Sequence, residues 1–208
     1  MNEIIDFLKK DKVLGKIIQK EGTITLRQSE SYFLDLVETI IAQQISGKAA
    51  NSIIKKFYEL FKNKKPTPDL LLKKSEEELV SAGISKQKRG YLYSLAEKFK
   101  DKTITPDRFP EMADQEIIDE LVQIKGIGKW SAQMFLMFTL RREDIFAPDD
   151  LGLRKALVIN YDFEDLPKPK EAEKFAERWK PYRSYASLYL WKSVRTQEQK
   201  KLEKKADP

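Results

Sequence analysis

LVQIKGIGKWSAQMFLMFTLRREDIFAPDDLGLR, residues 121–154, is the stretch on which the reading of this chain turns. It holds a Gly-x-Gly turn at Gly126 and Gly128, an apolar run behind it, and two adjacent carboxylates, Asp149 and Asp150, after a proline. Glycines at such a turn allow positive φ and a close approach of backbone to a ligand. Successive N–H groups there, with a helix opening at Lys129 and Trp130, make a concave site suited to an anion. The same dipeptide pattern is also ordinary punctuation between two packed helices, so the flanks decide.

Upstream, Asp114 reads as an N-cap with an acidic first turn, and Ile117, Leu121 and Ile124 fall on one helical face. Downstream, Trp130, Met134, Met137, Phe138 and Leu140 continue an apolar helix. Two helices therefore flank the turn, as a helix-hairpin-helix requires. The polar run RREDIFAPDD breaks the second helix, Pro148 resets the chain, and a new helical pattern starts at Leu151. One aspartate is explained as its cap; the second is left over.

Composition narrows the chemistry. The chain has no cysteine, which excludes disulfides, thiolate metal sites and an iron–sulfur cluster, and no histidine, which excludes imidazole acid–base work and zinc chemistry. Catalysis would rest on Asp, Glu, Lys, Tyr or a bound cofactor. A 41% hydrophobic and 11% aromatic content argues for a packed core despite 35% charged residues. The net charge of +6 is compatible with nucleic acid without requiring it. Its distribution is more telling: residues 43–65 hold six lysines and one glutamate, whereas Glu76 to Glu78 are a wholly acidic run. No stretch approaches a membrane span and the N-terminus lacks a signal-type apolar core, so an intracellular protein is expected.

The rest of the chain reads as helices. Residues 2–20 form one or two, burying Ile4, Ile5, Leu8, Leu14, Ile17 and Ile18, and residues 21–29 are a β-leaning connector with no second strand to pair with. SYFLDLVETIIAQQI, from Ser31, buries Phe33, Leu34, Val37, Ile40 and Ile41. Ser46 caps the next helix; Ser75 with Glu78 is a capping box ended by Gly83. The helix from Ser85 to Phe99 carries Lys86, Lys88 and Arg89 at a start read as solvated. Lys168 and Pro169 open another helix, Pro181 ends it, a last helix runs from Tyr182 to about Arg195, and the polar tail is expected to fray.

Residues 121–153, together with IIAQQISGKAA (40–50) and AERWKPYRSYASLYLW (176–191), resemble the helix-hairpin-helix DNA glycosylase superfamily, most like its 3-methyladenine DNA glycosylase II family. The matches lie in family order across roughly residues 33–195. The resemblance implies an all-α fold, residues 1–208 as a single glycosylase domain with two helical lobes and the active site in the cleft between them. One lobe would span about 31–142, including the hairpin 121–131, and the other about 1–30 with 143–208.

It further implies hydrolysis of the N-glycosidic bond of a flipped-out alkylated purine, 3-methyladenine or 7-methylguanine, in double-stranded DNA, by a monomer. Asp150 aligns with the family's catalytic aspartate, leaving Asp149 as the cap. Trp130, Trp191, Met134 and Tyr182 become base-pocket candidates, with Tyr185 and Tyr189 as further walls. Gln44, with Gln43 beside it, takes the place of the wedge that fills the vacated stack. Gly126, Gly128, Lys129 and Ser131 would bind the DNA backbone, and the carbonyls of Val122, Ile124 and Ile127 would hold a structural Na+ or K+; no other cofactor is required. Bifunctional relatives such as endonuclease III carry a lysine where this chain has Trp130, which implies a monofunctional enzyme that leaves an abasic site. A non-catalytic helix-hairpin-helix module recognising distorted duplex is the rival reading; it leaves Asp150 and both tryptophans without a purpose.

Overall fold

Side-chain caps set where the helices begin, and distant contacts set how they pack. The computed structural model describes residues 2–26 and 29–206, with side chains given throughout except at 64 and 196–206. Two compact units divide the chain: one is Gln28–Leu140, the other joins Met1–Arg27 to Arg141–Pro208. Among the described residues the regular elements are helical; within the connector, residues 22–26 form no strand, and residues 27–28 lie outside the described residues.

The discontinuous unit begins with α1 (Asn2–Leu8) and α2 (Lys12–Glu21). Asp11 caps α2, its Oδ1 accepting from Val13 N at 2.9 Å and Leu14 N at 3.2 Å. The contiguous unit opens at Ser31, whose Oγ caps α3 (Tyr32–Ala42). Burial of Phe33, Leu36, Val37, Ile40 and Ile41 makes α3 the centre of that unit's core, packed on α4 (Gly47–Glu59), which Ser46 caps. Next come α5 (Pro68–Leu72), α6 (Glu76–Ser81) with its Ser75–Glu78 capping box, and α7 (Lys86–Lys100), which packs against both α3 and α5. The hairpin lies between α8 (Asp114–Leu121) and α9 (Lys129–Met134). Then α10 (Leu151–Asn160), α11 (Pro169–Ala176) and α12 (Arg183–Ala206) return to the discontinuous unit, where α12 packs on α10 and α2.

Four local expectations are corrected. Ala113, not Asp114, holds the N-cap position of α8, and Glu116 at the third helical position accepts Ala113 N–H at 2.7 Å. The apolar helix behind the hairpin is α-helical only to Met134; Phe135–Thr139 widen into a π-helix closed by Leu140 N on Phe135 O at 3.1 Å. α3 stops at Ala42, because Gln43 is extended (ψ 132) and Gln44 left-handed (φ 56). α12 continues past Arg195 to Ala206; residues 207–208 lie outside the description.

A polar cluster is built into the discontinuous unit's interior. Asp11 Oδ2 accepts both the Tyr161 hydroxyl and the Trp179 indole N–H at 3.0 Å, and Trp179 is 1% exposed. Burial, then the Asp11 charge, pushes the Tyr161 hydroxyl well above the usual phenol range.

Candidate active site

The site candidates fall into two groups, one in each unit. The first forms where Pro148 and two aspartates lead into α10. Asp150 occupies the N-cap position, its Oδ1 accepting Leu153 N–H at 2.7 Å, and the same oxygen accepts the Trp191 indole N–H at 2.9 Å. Two donors converging on one oxygen fix the plane of the carboxylate. Asp149, expected as the cap, is exposed instead. Since α10 starts at Leu151, only the residue directly before it can reach the free N–H groups of the first turn. The cap expected of Asp149 is therefore made by Asp150, the candidate catalytic carboxylate.

Gly152 supplies the room for this pair. A Cβ there would sit 3.1 Å from Asp150 Oδ1 and 3.1 Å from Trp191 Cδ1, tighter than ordinary contact. Sequence reasoning passed over Gly152, although a glycine in the first turn of a helix is a local misfit that signals close approach of another group. The loop ahead of Asp150 is held by the start of α12. Arg183 grips Asp144 through two bonds, Nε to Oδ1 at 2.7 Å and Nη2 to Oδ2 at 2.9 Å. Buried Ser184 accepts Ile145 N–H at 2.9 Å and gives its own backbone N–H to Glu143 O at 2.9 Å. One helix thus fixes the loop and, roughly two turns on, delivers Trp191.

The tyrosines take three different places in the same unit. Tyr182 packs edge-on against Phe7 at 5.3 Å and lines a surface cavity of about 640 Å³ with Glu3, Asp6, Lys10 and Pro181, which excludes both Asp150 and Trp191. It precedes α12, so it does not share the face that carries Trp191. Tyr189 is fully buried, its hydroxyl donating to Gly22 O at 3.1 Å, and belongs to the core. Tyr185 is buried too, and burial followed by the Glu143 charge raises its hydroxyl pKa.

The second group surrounds the hairpin. Ile124 N–H bonds Leu121 O at 3.1 Å and Ile127 N–H bonds Ile124 O at 3.0 Å, which coils the chain toward Gly126. Gly126 has φ +85, and the Tyr91 ring occupies the place of a side chain there: a Cβ would lie 2.2 Å from Tyr91 Cδ2. Buried Ser94 of α7 accepts Lys125 N–H at 3.3 Å, and Gln43 Nε2 donates to Gly126 O at 2.8 Å. Gly128 then caps α9, with Lys129 exposed and Ser131 buried.

Trp130 is 45% exposed, in contrast to the core residue Trp179, and Met134 follows one turn later on the same face. Both line an open cavity of about 630 Å³ together with Gln43, Gln44, Tyr91 and Gly126. The two glutamines part company: Gln43 is committed to the hairpin, and Gln44 is exposed. Of the three cations at the start of α7, only Lys86 is solvated as read. Arg89 bonds Ile84 O and Glu76, and Lys88 donates to the carbonyls of Ile41 at 2.7 Å and Gln43 at 2.8 Å, with burial lowering its pKa. Lys48, Lys55, Lys56, Lys62 and Lys65, from the basic stretch, are exposed.

A backbone carbonyl oxygen is a donor for a hard cation. Ile124 O accepts one N–H and keeps a second lone pair, and the turn that makes this bond draws residues 124 and 127 together. Among the described residues no group of three or more His, Cys, Asp or Glu could hold a metal ion, and no helix is long and apolar enough to cross a membrane.

Comparison with known proteins bears on the family and the fold. Residues 37–181 match the family model described as HhH-GPD superfamily base excision DNA repair protein. A DNA-3-methyladenine glycosylase of Saccharomyces cerevisiae is 33% identical over 232 aligned positions, covering 91% of this chain and 78% of the relative. The Schizosaccharomyces pombe 3-methyladenine DNA glycosylase Mag1, solved in complex with abasic DNA, superposes with a TM-score of 0.84 at 28% identity over 93% of this chain and 97% of its own. A DNA-3-methyladenine glycosidase from Bacillus halodurans gives 0.82 at 31% identity, over 93% of this chain and 89% of its own.

Proposed function

The chain belongs to the HhH-GPD superfamily of base excision DNA repair proteins, and from that premise we propose that it is a DNA glycosylase hydrolysing the N-glycosidic bond of alkylated purines such as 3-methyladenine and 7-methylguanine. The observation that carries this reading is Asp150, a carboxylate oriented by a helix start and by the indole of Trp191. A methylated purine is stacked inside duplex DNA, so it must first be turned out of the helix, at a cost of a few kcal/mol that is least for damaged bases. Gln44, exposed on its left-handed turn, is the group that fills the vacated space. The N–H groups of Gly126, Gly128 and Ser131, with Lys129, hold the phosphate backbone. The carbonyls of Val122, Ile124 and Ile127 would hold Na+ or K+, which would supply positive charge beside that phosphate.

A cationic base is attracted to aromatic faces, and Trp130, half-exposed in the cavity with Met134, supplies one. As the bond from C1′ to the base nitrogen breaks, its electron pair leaves with the base, which departs neutral. Positive charge grows on the sugar, and the Asp150 carboxylate stabilises it. Water then bonds to C1′ and passes a proton to the Asp150 carboxylate, leaving an abasic site. Trp130 stands where a lyase would need an amine nucleophile, which favours a monofunctional reaction.

The test is release of methylpurines from methylated duplex DNA by wild type and Asp150→Asn. Asparagine caps a helix as well as aspartate, so the variant should fold with wild-type thermal stability and lose about 100-fold or more in release rate. An undiminished rate would remove Asp150 from the reaction. Duplex binding without release by either protein would favour the non-catalytic module.

A further inference from the structure

The turn that carries Gln44 is held from α7 as well as from the hairpin. A helix leaves its last carbonyls without N–H partners, and a glycine in left-handed backbone past the end commonly resolves this. After α3 the left-handed residue is Gln44, with φ 56, and its Cβ disfavours that conformation. Such a conformation persists where its surroundings fix it, and here they do so from two sides. Lys88 Nζ, reaching from α7, donates to Ile41 O at 2.7 Å and Gln43 O at 2.8 Å. Its ammonium thus takes up carbonyls of the helix end and sits at the negative pole of the α3 dipole. Gln43 Nε2 bonds Gly126 O at 2.8 Å, tying the same turn to the hairpin. Gln44 itself projects, exposed.

We propose that Lys88 is a positioning residue for base extrusion: by clamping the carbonyls of Ile41 and Gln43 it presents Gln44, before DNA arrives, in register with the hairpin. The inference rests on the reading of Gln44 as the group that enters the duplex. A plug that is already ordered spares the cost of ordering it during extrusion. Removing the clamp therefore slows extrusion and leaves the affinity for undamaged duplex unchanged, because phosphate contacts govern the latter.

The experiment uses the full chain with Lys88→Met, Lys88→Arg, Gln44→Ala and the Lys88→Met, Gln44→Ala double variant. Base release is followed in single turnover on 7-methylguanine duplex, extrusion by fluorescence of 2-aminopurine placed at the flipped position, and affinity on undamaged duplex. Lys88→Met should slow release about tenfold, the equivalent of ~1.4 kcal/mol, with lower 2-aminopurine signal and unchanged duplex affinity. Arginine should restore most of the rate, and the double variant should be no slower than Gln44→Ala alone. Lys88→Gln replaces Lys88→Met if the latter is unfolded at the assay temperature. A wild-type rate for Lys88→Met, or losses that add in the double variant, would overturn the clamp and leave the glycosylase reading intact. A wild-type rate for Gln44→Ala would overturn the assignment of Gln44, and the clamp with it. If wild type releases no base, the proposed function fails, and the fluorescence arm still decides whether Lys88 and Gln44 act together.

Discussion

Gly152 and Asp150 show how closely spaced residues can separate stability from activity. In most helices glycine costs about 1 kcal/mol relative to alanine, so Gly152→Ala should gain helix propensity. The added Cβ would press on Asp150 Oδ1 and Trp191 Cδ1, both at 3.1 Å. The expected result is a melting temperature at or near wild type with base release down about 10- to 100-fold, since small displacements of a reacting group are costly; equal rates would show that the pair relaxes without consequence. Asp150, Trp130 and Gln44 could be singled out as candidates in the sequence because each sits inside a local motif. Gly152 and Lys88 could not, because what they meet lies far along the chain: Trp191 in one case, the carbonyls of Ile41 and Gln43 in the other. Assigning the cap to Asp149 was an error of one residue in the helix start, and it reversed which carboxylate meets the first-turn N–H.

Helix beginnings were read well where the cap bond spans three residues, as at Ser31, Ser46 and Ser75. Helix endings and irregular turns were read poorly. Apolar spacing over five residues does not distinguish a bond to the fourth residue back from one to the fifth, so the π-helix at Phe135–Thr139 left no mark in the sequence. The hairpin was legible through its glycines, yet the demand at Gly126 is stricter than turn geometry alone, because Tyr91 fills the space beside it. Gly126→Ala would meet both a φ of +85 and the Tyr91 ring. It should destabilise the protein by about 2 kcal/mol or more and weaken duplex binding, read by thermal unfolding and by titration with undamaged DNA. Wild-type values in both would mean that the hairpin accommodates a side chain by shifting Tyr91.

At the scale of the molecule, charge and buried polarity set the response to solution conditions. A net charge of +6 and a run of exposed lysines predict duplex binding that weakens linearly in log–log terms with salt. Lys129→Ala, next to the hairpin, should reduce that slope by about 1 and weaken all sequences alike; an unchanged slope would take Lys129 off the phosphate. High pH tests the Asp11 cluster. In the unfolded chain a tyrosine ionises near pH 10, whereas the Tyr161 pKa is raised by burial and by Asp11. The folded state then binds the proton that the unfolded state has lost, so stability is intact below pH 10 and falls as pH rises beyond it. Tyr161→Phe should make that fall shallower by up to ~1.4 kcal/mol per pH unit, measured by urea unfolding between pH 9 and 11; parallel curves would place the titration elsewhere. The Tyr189–Gly22 bond has a further consequence, for the order of events during synthesis. It joins residues 167 positions apart, so α2, with Leu14, Ile17 and Ile18 on its apolar face, leaves the ribosome on the order of ten seconds before α12 exists to cover it. The continuous stretch Gln28–Leu140 meets no such delay. Residues made early are thus among the last to be buried, and through that interval the apolar face of α2 is open to chaperones.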